Sequence, residues 1–155
     1  MARGLTWSLR GFGTAHRMTG EDAFPASARL CADFELQHMP FDGEAPGGPG
    51  VPPNDYDDPR RPVLYDSSAA ALAASGLLQL GELEQDMTRS ERCRNAAMRI
   101  LQTLCGHPYP ASATPAWEGI PRHGVCHRPK GLGVDEDGMC GEYFFVKTLQ
   151  GKGVL

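Results

Sequence analysis

Apolar residues recur along this chain at helical spacing, and the segments differ in how far round the helix they extend. The stretch Asp66–Leu80 (DSSAAALAASGLLQL) has almost no polar face. A helix of that kind in a folded domain is enclosed on all sides, and its alanines let neighbours approach closely. At about fifteen residues it falls short of the roughly twenty a membrane span needs. Asp66, Ser67 and Ser68 open it with side-chain oxygens suited to the free N–H groups of a first turn. Cys93, Ala96, Ala97, Ile100, Leu101 and Leu104 instead form a single stripe, with Arg94, Asn95, Arg99 and Gln102 on the other side. That pattern predicts an outer helix, and Thr88-Arg89-Ser90-Glu91 ahead of it has capping-box spacing.

Three further helices follow from the same periodicity. Leu5–Met18 carries Trp7, Leu9, Phe12, Ala15 and Met18, and Thr19-Gly20 stops it. Asp22 is placed to cap a helix that tolerates Pro25 in its first turn and ends at Pro40. Its expected apolar side is Ala28, Leu30, Cys31, Phe34 and Leu36, with Arg29, Asp33 and Glu35 toward water. The last helix runs from about Gly141 to Gln150, with Tyr143, Phe144, Val146 and Leu149 apolar. Two long loops, 40–65 and 106–138, separate the pairs, and no strand of convincing length stands out. The expectation is an all-α array over 1–155, one domain or part of a larger one, of helical hairpins that alternate buried and amphipathic members. Such an array can close into an α/α toroid.

Composition narrows the partners. The chain has 155 residues, 41% hydrophobic and 22% charged, with a net charge of −4. That balance gives no electrostatic case for nucleic acid or an acidic membrane as partner. Five scattered cysteines do not make a disulfide framework; reduced thiols, and with them a cytoplasmic setting, are the simpler expectation. No cofactor motif emerges. His123-x-x-Cys126-His127 with Cys140 has the ligand types of a zinc site but not the spacing of a closed one, so no metal is expected.

Four segments, in order, resemble one enzyme family. Arg3-Gly4-x-x-Trp7-x-Leu9-x-Gly11-Phe12 resembles its Trp-x-Arg-Gly-Gln-x-Trp-x-x-x-Gly-Phe segment. Asp55-Tyr56-Asp57 fits its Trp-Asp-Tyr/Phe-Asp loop, and Asp66-Ser67-Ser68-Ala69-Ala70 matches its Asp-Ser-Ser-Ala-Ala helix. Gly133-Val134-Asp135-Glu136 and Gly141-Glu142-Tyr143-Phe144-Phe145 resemble its C-terminal Val-Asp-Glu-Ser and Trp-Gly-Asp-Tyr-Phe-Phe elements. The family is glycoside hydrolase family 88, the unsaturated glucuronyl hydrolases. Departures are Met1 where the family has Trp, Leu5 for Gln, Asn54 and Cys140 where tryptophans are usual, Glu142 for Asp, and Lys147 where Glu is frequent.

The resemblance implies that this chain is the C-terminal part of a six-hairpin (α/α)6 barrel. It further implies removal of an unsaturated uronic acid from lyase-generated oligosaccharides, by hydration of the ring double bond. An aspartate serves as acid and base in that reaction, and the family's catalytic aspartates lie upstream of the Arg-Gly-x-x-Trp segment. No residue of this sequence is therefore assigned as catalytic, and the chain alone is expected to be inactive. The implied partner is an unsaturated uronate-terminated oligosaccharide, bound once the missing part completes the barrel.

Four residues are assigned to substrate binding. Arg3 can pair with a uronate carboxylate and Trp7 can stack on a sugar ring; the residues alone favour an exposed arginine and a core tryptophan, and the resemblance turns the reading to substrate binding. His127 and Lys130 sit in a basic loop that, by the resemblance, borders the next sugar, and a solvated loop is the plain alternative. Asp135, Glu136 and Asp137 read as solvated or capping acids. Two rival functions remain: a non-catalytic helical fragment or carbohydrate-binding remnant, and an unsaturated rhamnogalacturonyl hydrolase on the same barrel.

Overall fold

The computed structural model describes residues 1–42 and 46–151; part of the first expected loop, 43–45, lies outside them. Five helices are present among these residues: α1 Ala2–Thr19, α2 Ala23–His38, α3 Ser67–Leu83, α4 Met87–Cys105 and α5 Met139–Gln150. No described helix is long and apolar enough to cross a membrane. Every residue of α3 from Ser67 to Gly81 is buried, and all four other helices pack on it. The helix that is apolar all round is thus the axis of the domain.

Close approach along α3 depends on glycines. A Cβ at Gly76 would sit 2.8 Å from Leu9 Cγ, one at Gly13 2.8 Å from the Gln79 amide oxygen, and one at Gly141 2.8 Å from Ser68 Cβ. With the Arg3–Ser68 and Arg17–Glu82 contacts, these pairings show that α1, α3 and α5 run parallel. α4 returns antiparallel, with Ser90 Oγ donating to the Gly81 carbonyl at 2.6 Å. The inner helices α1, α3 and α5 therefore start at one pole, and the segments around 51–66 and 106–138 cover that pole. This is an arc of helical hairpins, as the alternating pattern predicts.

Several local expectations hold. The stripe on α4 is buried residue for residue. Gly20 ends α1 in the left-handed conformation (φ 76), its N–H reaching the His16 carbonyl at 2.7 Å. Others need correction. α4 starts at Met87 on an Asp86 cap, which accepts from Thr88 N–H at 2.9 Å, so the Thr88–Glu91 box does not form. Asp22 occupies the cap position of α2 but makes no cap hydrogen bond.

The buried face of α2 is also different. It comprises Pro25, Ala28, Ala32 and Glu35, whereas Leu30 is 74% and Phe34 40% exposed. The small residues win the inner position because they let α2 approach its neighbours. Glu35, expected in water, is fully buried. Its carboxylate accepts from the Tyr56 hydroxyl at 2.8 Å and its other oxygen has no partner.

The second loop is not structureless. Gly124–His127 (β1) and Leu132–Glu136 (β2) form an antiparallel hairpin around a 3₁₀ turn, Arg128–Lys130, with a bulge between Gly124 and Val125. The all-α expectation missed this pair. Strands of four and five residues, each containing a Gly, carry too little alternation to register.

Burial pushes the Glu35 carboxyl up to about 7, against the Tyr56 hydrogen bond that favours its charge. A carboxyl raised in the folded state is a stabilising group below its unfolded value, near 4.5, and that stability is lost as pH rises toward 7. Melts of the wild type should therefore show stability falling between about pH 4.5 and 7, by about 3 kcal/mol in all. Glu35→Gln should flatten that dependence and melt higher than wild type at pH 8. Coincident profiles for the two proteins would reject the assignment.

Candidate functional site

Asp66 anchors the shared pole of the inner helices. It is fully buried at the N-cap of α3. Its Oδ1 accepts from Ser68 N–H at 3.0 Å, Ala69 N–H at 3.3 Å, Ser68 Oγ at 2.5 Å and Val125 N–H at 3.2 Å. Oδ2 is buried without a partner. Burial pushes this carboxyl up, while the Ser68 hydroxyl, the Arg3 charge and the backbone N–H groups oppose the shift. The cap is Asp66 and not Ser67, whose backbone N–H instead donates to the His123 carbonyl at 3.1 Å. One side chain thus caps the central helix and fastens β1 to it.

Arg3 lies in the first turn of α1, across from that cap. Its guanidinium donates to Ser68 Oγ at 3.2 Å and to the Cys126 carbonyl at 2.6 Å. Arg3, Ser68 and Asp66 therefore form a chain of polar contacts ending at the hairpin. His127 and Lys130 follow directly on the hairpin tip. The Lys130 N–H donates to His127 Nδ1 at 3.2 Å, and the Lys130 side chain is exposed. Between them Arg128 reaches Asp58 at 2.9 Å and the Pro62 carbonyl at 3.1 Å, fixing the tip to the 55–62 segment. Arg60 and Arg128 hold the Asp58 carboxyl well below the usual carboxylate range.

The structure thus brings Arg3, His127 and Lys130 to one pole. Trp7, four residues after Arg3, follows on the same face of α1. It lies one turn farther along α1, 47% exposed, with its ring edge-to-face on Phe144 of α5 at 5.3 Å. Exposed apolar surface gathers there, with Met18 82% and Tyr143 54% exposed.

The loop acids are also placed. Asp135 pairs with His123 Nδ1, and Arg122 donates to His123 Nε2 at 3.0 Å. An arginine donor at Nε2 leaves the proton on Nδ1, facing the carboxylate. Both His123 (φ 66) and Asp135 (φ 62) hold left-handed backbone, costly for residues with a Cβ. The pair borders a cavity of about 200 Å³ lined also by Tyr65, Tyr109 and Val125. Sequence reading noted Asp135 but had no signal for its partner. Among the described residues no three His, Cys, Asp or Glu side chains converge as metal ligands.

No family model matches the chain. It is 29% identical over 154 residues to an unsaturated glucuronyl hydrolase of Formosa agariphila, covering 97% of this chain and 36% of that protein. It is 29% identical over 149 residues to the unsaturated glucuronyl hydrolase of Bacillus sp. strain GL1, covering 95% and 37%. The crystal structure of the unsaturated glucuronyl hydrolase from Bacillus sp. GL1 matches with a TM-score of 0.82, over 96% of this chain and 38% of that one. The chain spans a little over a third of the length of the curated relatives it matches. It is similar over nearly all its length to the C-terminal part of these enzymes, and its arc of hairpins is part of an (α/α)6 toroid.

Asp66→Ala should cost more than the roughly 1 kcal/mol of an ordinary cap. It strips the acceptor from Ser68 and from the buried Val125 N–H, and each such loss costs about 1–3 kcal/mol. Ser67→Ala should stay close to wild type. Denaturant melts giving the two variants equal midpoints would contradict this assignment.

Proposed function

We propose that this chain forms part of the substrate wall of a glycoside hydrolase that removes an unsaturated uronic acid from oligosaccharide ends by hydrating its ring double bond. The observation that carries the reading is the position of Arg3. It sits where the N-termini of three parallel helices meet, a place that favours negative charge. Two of its five donors are engaged by Ser68 and Cys126, which orients the guanidinium and leaves the others for a carboxylate. Lys130, with His127 beside it, adds positive charge on the hairpin tip, on the side where a following acidic or sulfated sugar would lie. The acid/base aspartate of this reaction is supplied from outside the sequence described here, so this chain contributes binding and orientation.

Two outcomes test the reading. The chain alone should give no turnover of an unsaturated disaccharide, followed by loss of ultraviolet absorbance, above a buffer blank. Turnover would mean that a carboxylate of this chain does chemistry. When the chain replaces the corresponding part of the Bacillus sp. enzyme, Arg3→Ala should raise KM about tenfold, equivalent to about 1.4 kcal/mol. Arg3→Lys should recover only part of that loss, because an ammonium lacks the bidentate fork. An unchanged KM in Arg3→Ala would remove the carboxylate role.

A further inference from the structure

Glu35 lies on the inner face of α2, fully enclosed by this chain's own residues. One carboxyl oxygen accepts from the Tyr56 hydroxyl at 2.8 Å and the other is buried without a partner. A neutral carboxyl tolerates that setting, whereas a carboxylate with one hydrogen bond and no counter-charge does not. The charged side chains of the helices around it are engaged elsewhere. On α1 and α3, Arg3 meets Ser68 and Cys126, Arg10 meets Thr14, and Arg17 meets Glu82, while His16 Nδ1 lies at the Glu21 carbonyl. On α2 itself, Arg29 meets Glu84, Asp33 meets Arg89, and His38 Nδ1 lies at the Phe34 carbonyl. Burial, and after it the Glu35 charge, push the nearby Cys31 thiol up. Asp55 and Asp57, on either side of Tyr56, have the same sign as a carboxylate at Glu35.

Tyr56 belongs to a loop pinched at its base. Pro53 and Tyr65 form an isolated antiparallel bridge, and the Asn54 N–H donates to the Leu64 carbonyl at 2.7 Å. Between them residues 55–63 form neither helix nor strand and reach in two directions. On one side the Tyr56 ring lies edge-to-face on Phe34 at 5.5 Å and on His38 at 5.9 Å, both on α2. On the other, the Asp58 carboxylate and the Pro62 carbonyl take the Arg128 guanidinium from the hairpin tip. Those two charged side chains are themselves largely buried, Asp58 7% and Arg128 14% exposed. A compact loop whose ends meet can shift as a unit while the packed helices stay in place. We propose that residues 55–63 are a proton-sensitive strap: with Glu35 neutral the loop closes on α2 and holds the hairpin tip, and ionisation of Glu35 frees Tyr56 and loosens the Arg128 tether. The Glu35 carboxyl is raised to about 7 in the closed loop and returns toward its ordinary value, near 4.5, once it meets water. Opening therefore becomes easier as pH rises from about 4.5 to 7 and levels off above that. This device operates whether or not the hairpin tip meets a sugar.

Amide hydrogen exchange of the chain between pH 5 and 8, corrected for the intrinsic rate at each pH, reports on the strap directly. In the wild type, protection of the 55–63 amides should fall at least about tenfold from pH 5 to 7 and change little above. The Ile100 and Leu101 amides of α4 should stay far better protected throughout. The hairpin amides of Cys126, His127 and Arg128 should lose protection over the same range as the loop. Glu35→Gln keeps a neutral acceptor for the Tyr56 hydroxyl, so loop and hairpin protection should both become independent of pH. Tyr56→Phe removes the donor and should speed loop exchange at pH 5 while α4 keeps its protection. If circular dichroism shows Glu35→Gln unfolded, Tyr56→Phe carries the comparison, and loop exchange equal to wild type then overturns the strap. Loop protection that is flat with pH in the wild type, or that falls equally in Glu35→Gln, overturns it too. A pH-dependent melt with a flat loop means that only global unfolding releases Glu35, and has the same consequence. A hairpin response that survives Glu35→Gln, or a hairpin that ignores the loop, overturns the tether.

Discussion

The carboxylate of Asp66 is the contact on which the site end of this molecule depends. A helix as apolar as α3 needs no help to bury its sides, but its first N–H groups must still find acceptors in a place water does not reach. Asp66 supplies the acceptor, and because the same oxygen also takes the Val125 N–H, the cap becomes a tether. The hairpin, the Arg3 guanidinium and the hydroxyl of Ser68 are all located by reference to that one group. Moving it would shift the hairpin tip and the arginine together.

Parallel inner helices give the tether its functional value. Since α1, α3 and α5 run in one direction, their N-termini and the first-turn side chains collect at a single pole. Close packing makes this possible: Gly13, Gly76 and Gly141 stand where a Cβ would strike a neighbouring helix. The long connections that parallel neighbours require cross that same pole, and the basic hairpin is one of them. Arg128 and Asp58 then hold the two covering segments to each other.

Charge is distributed unevenly between the faces. On the outer helices, cations meet carboxylates: Arg29 with Glu84, Arg89 and Arg92 with Asp33. On the inner helices Arg17 meets Glu82, while Arg3 and Arg10 meet hydroxyls and a backbone carbonyl. Solvated ion pairs add little to stability, whereas cations oriented by neutral partners keep their charge available.

Helix existence and the order of buried and amphipathic members were legible in the chain, because period 3.6 is a local property and α3 and α4 display it without interruption. The alternation was enough to imply an arc of hairpins, and the placement of Asp66 before an alanine run was enough to imply its cap. The inner face of α2 was not legible: Leu30 and Phe34 are larger and more apolar than Ala28 and Ala32, but close approach to neighbouring helices selects the smaller pair, and only packing reveals that. Glu35 followed the same face into the interior, where its partner Tyr56 comes from a segment that periodicity leaves blank. The hairpin was hidden because its register is set by the Asp66 tether and by left-handed backbone at His123 and Asp135, contacts more than fifty or about ten residues apart. Local pattern determined which segments are helices; which side chains meet was decided by how closely those helices pack.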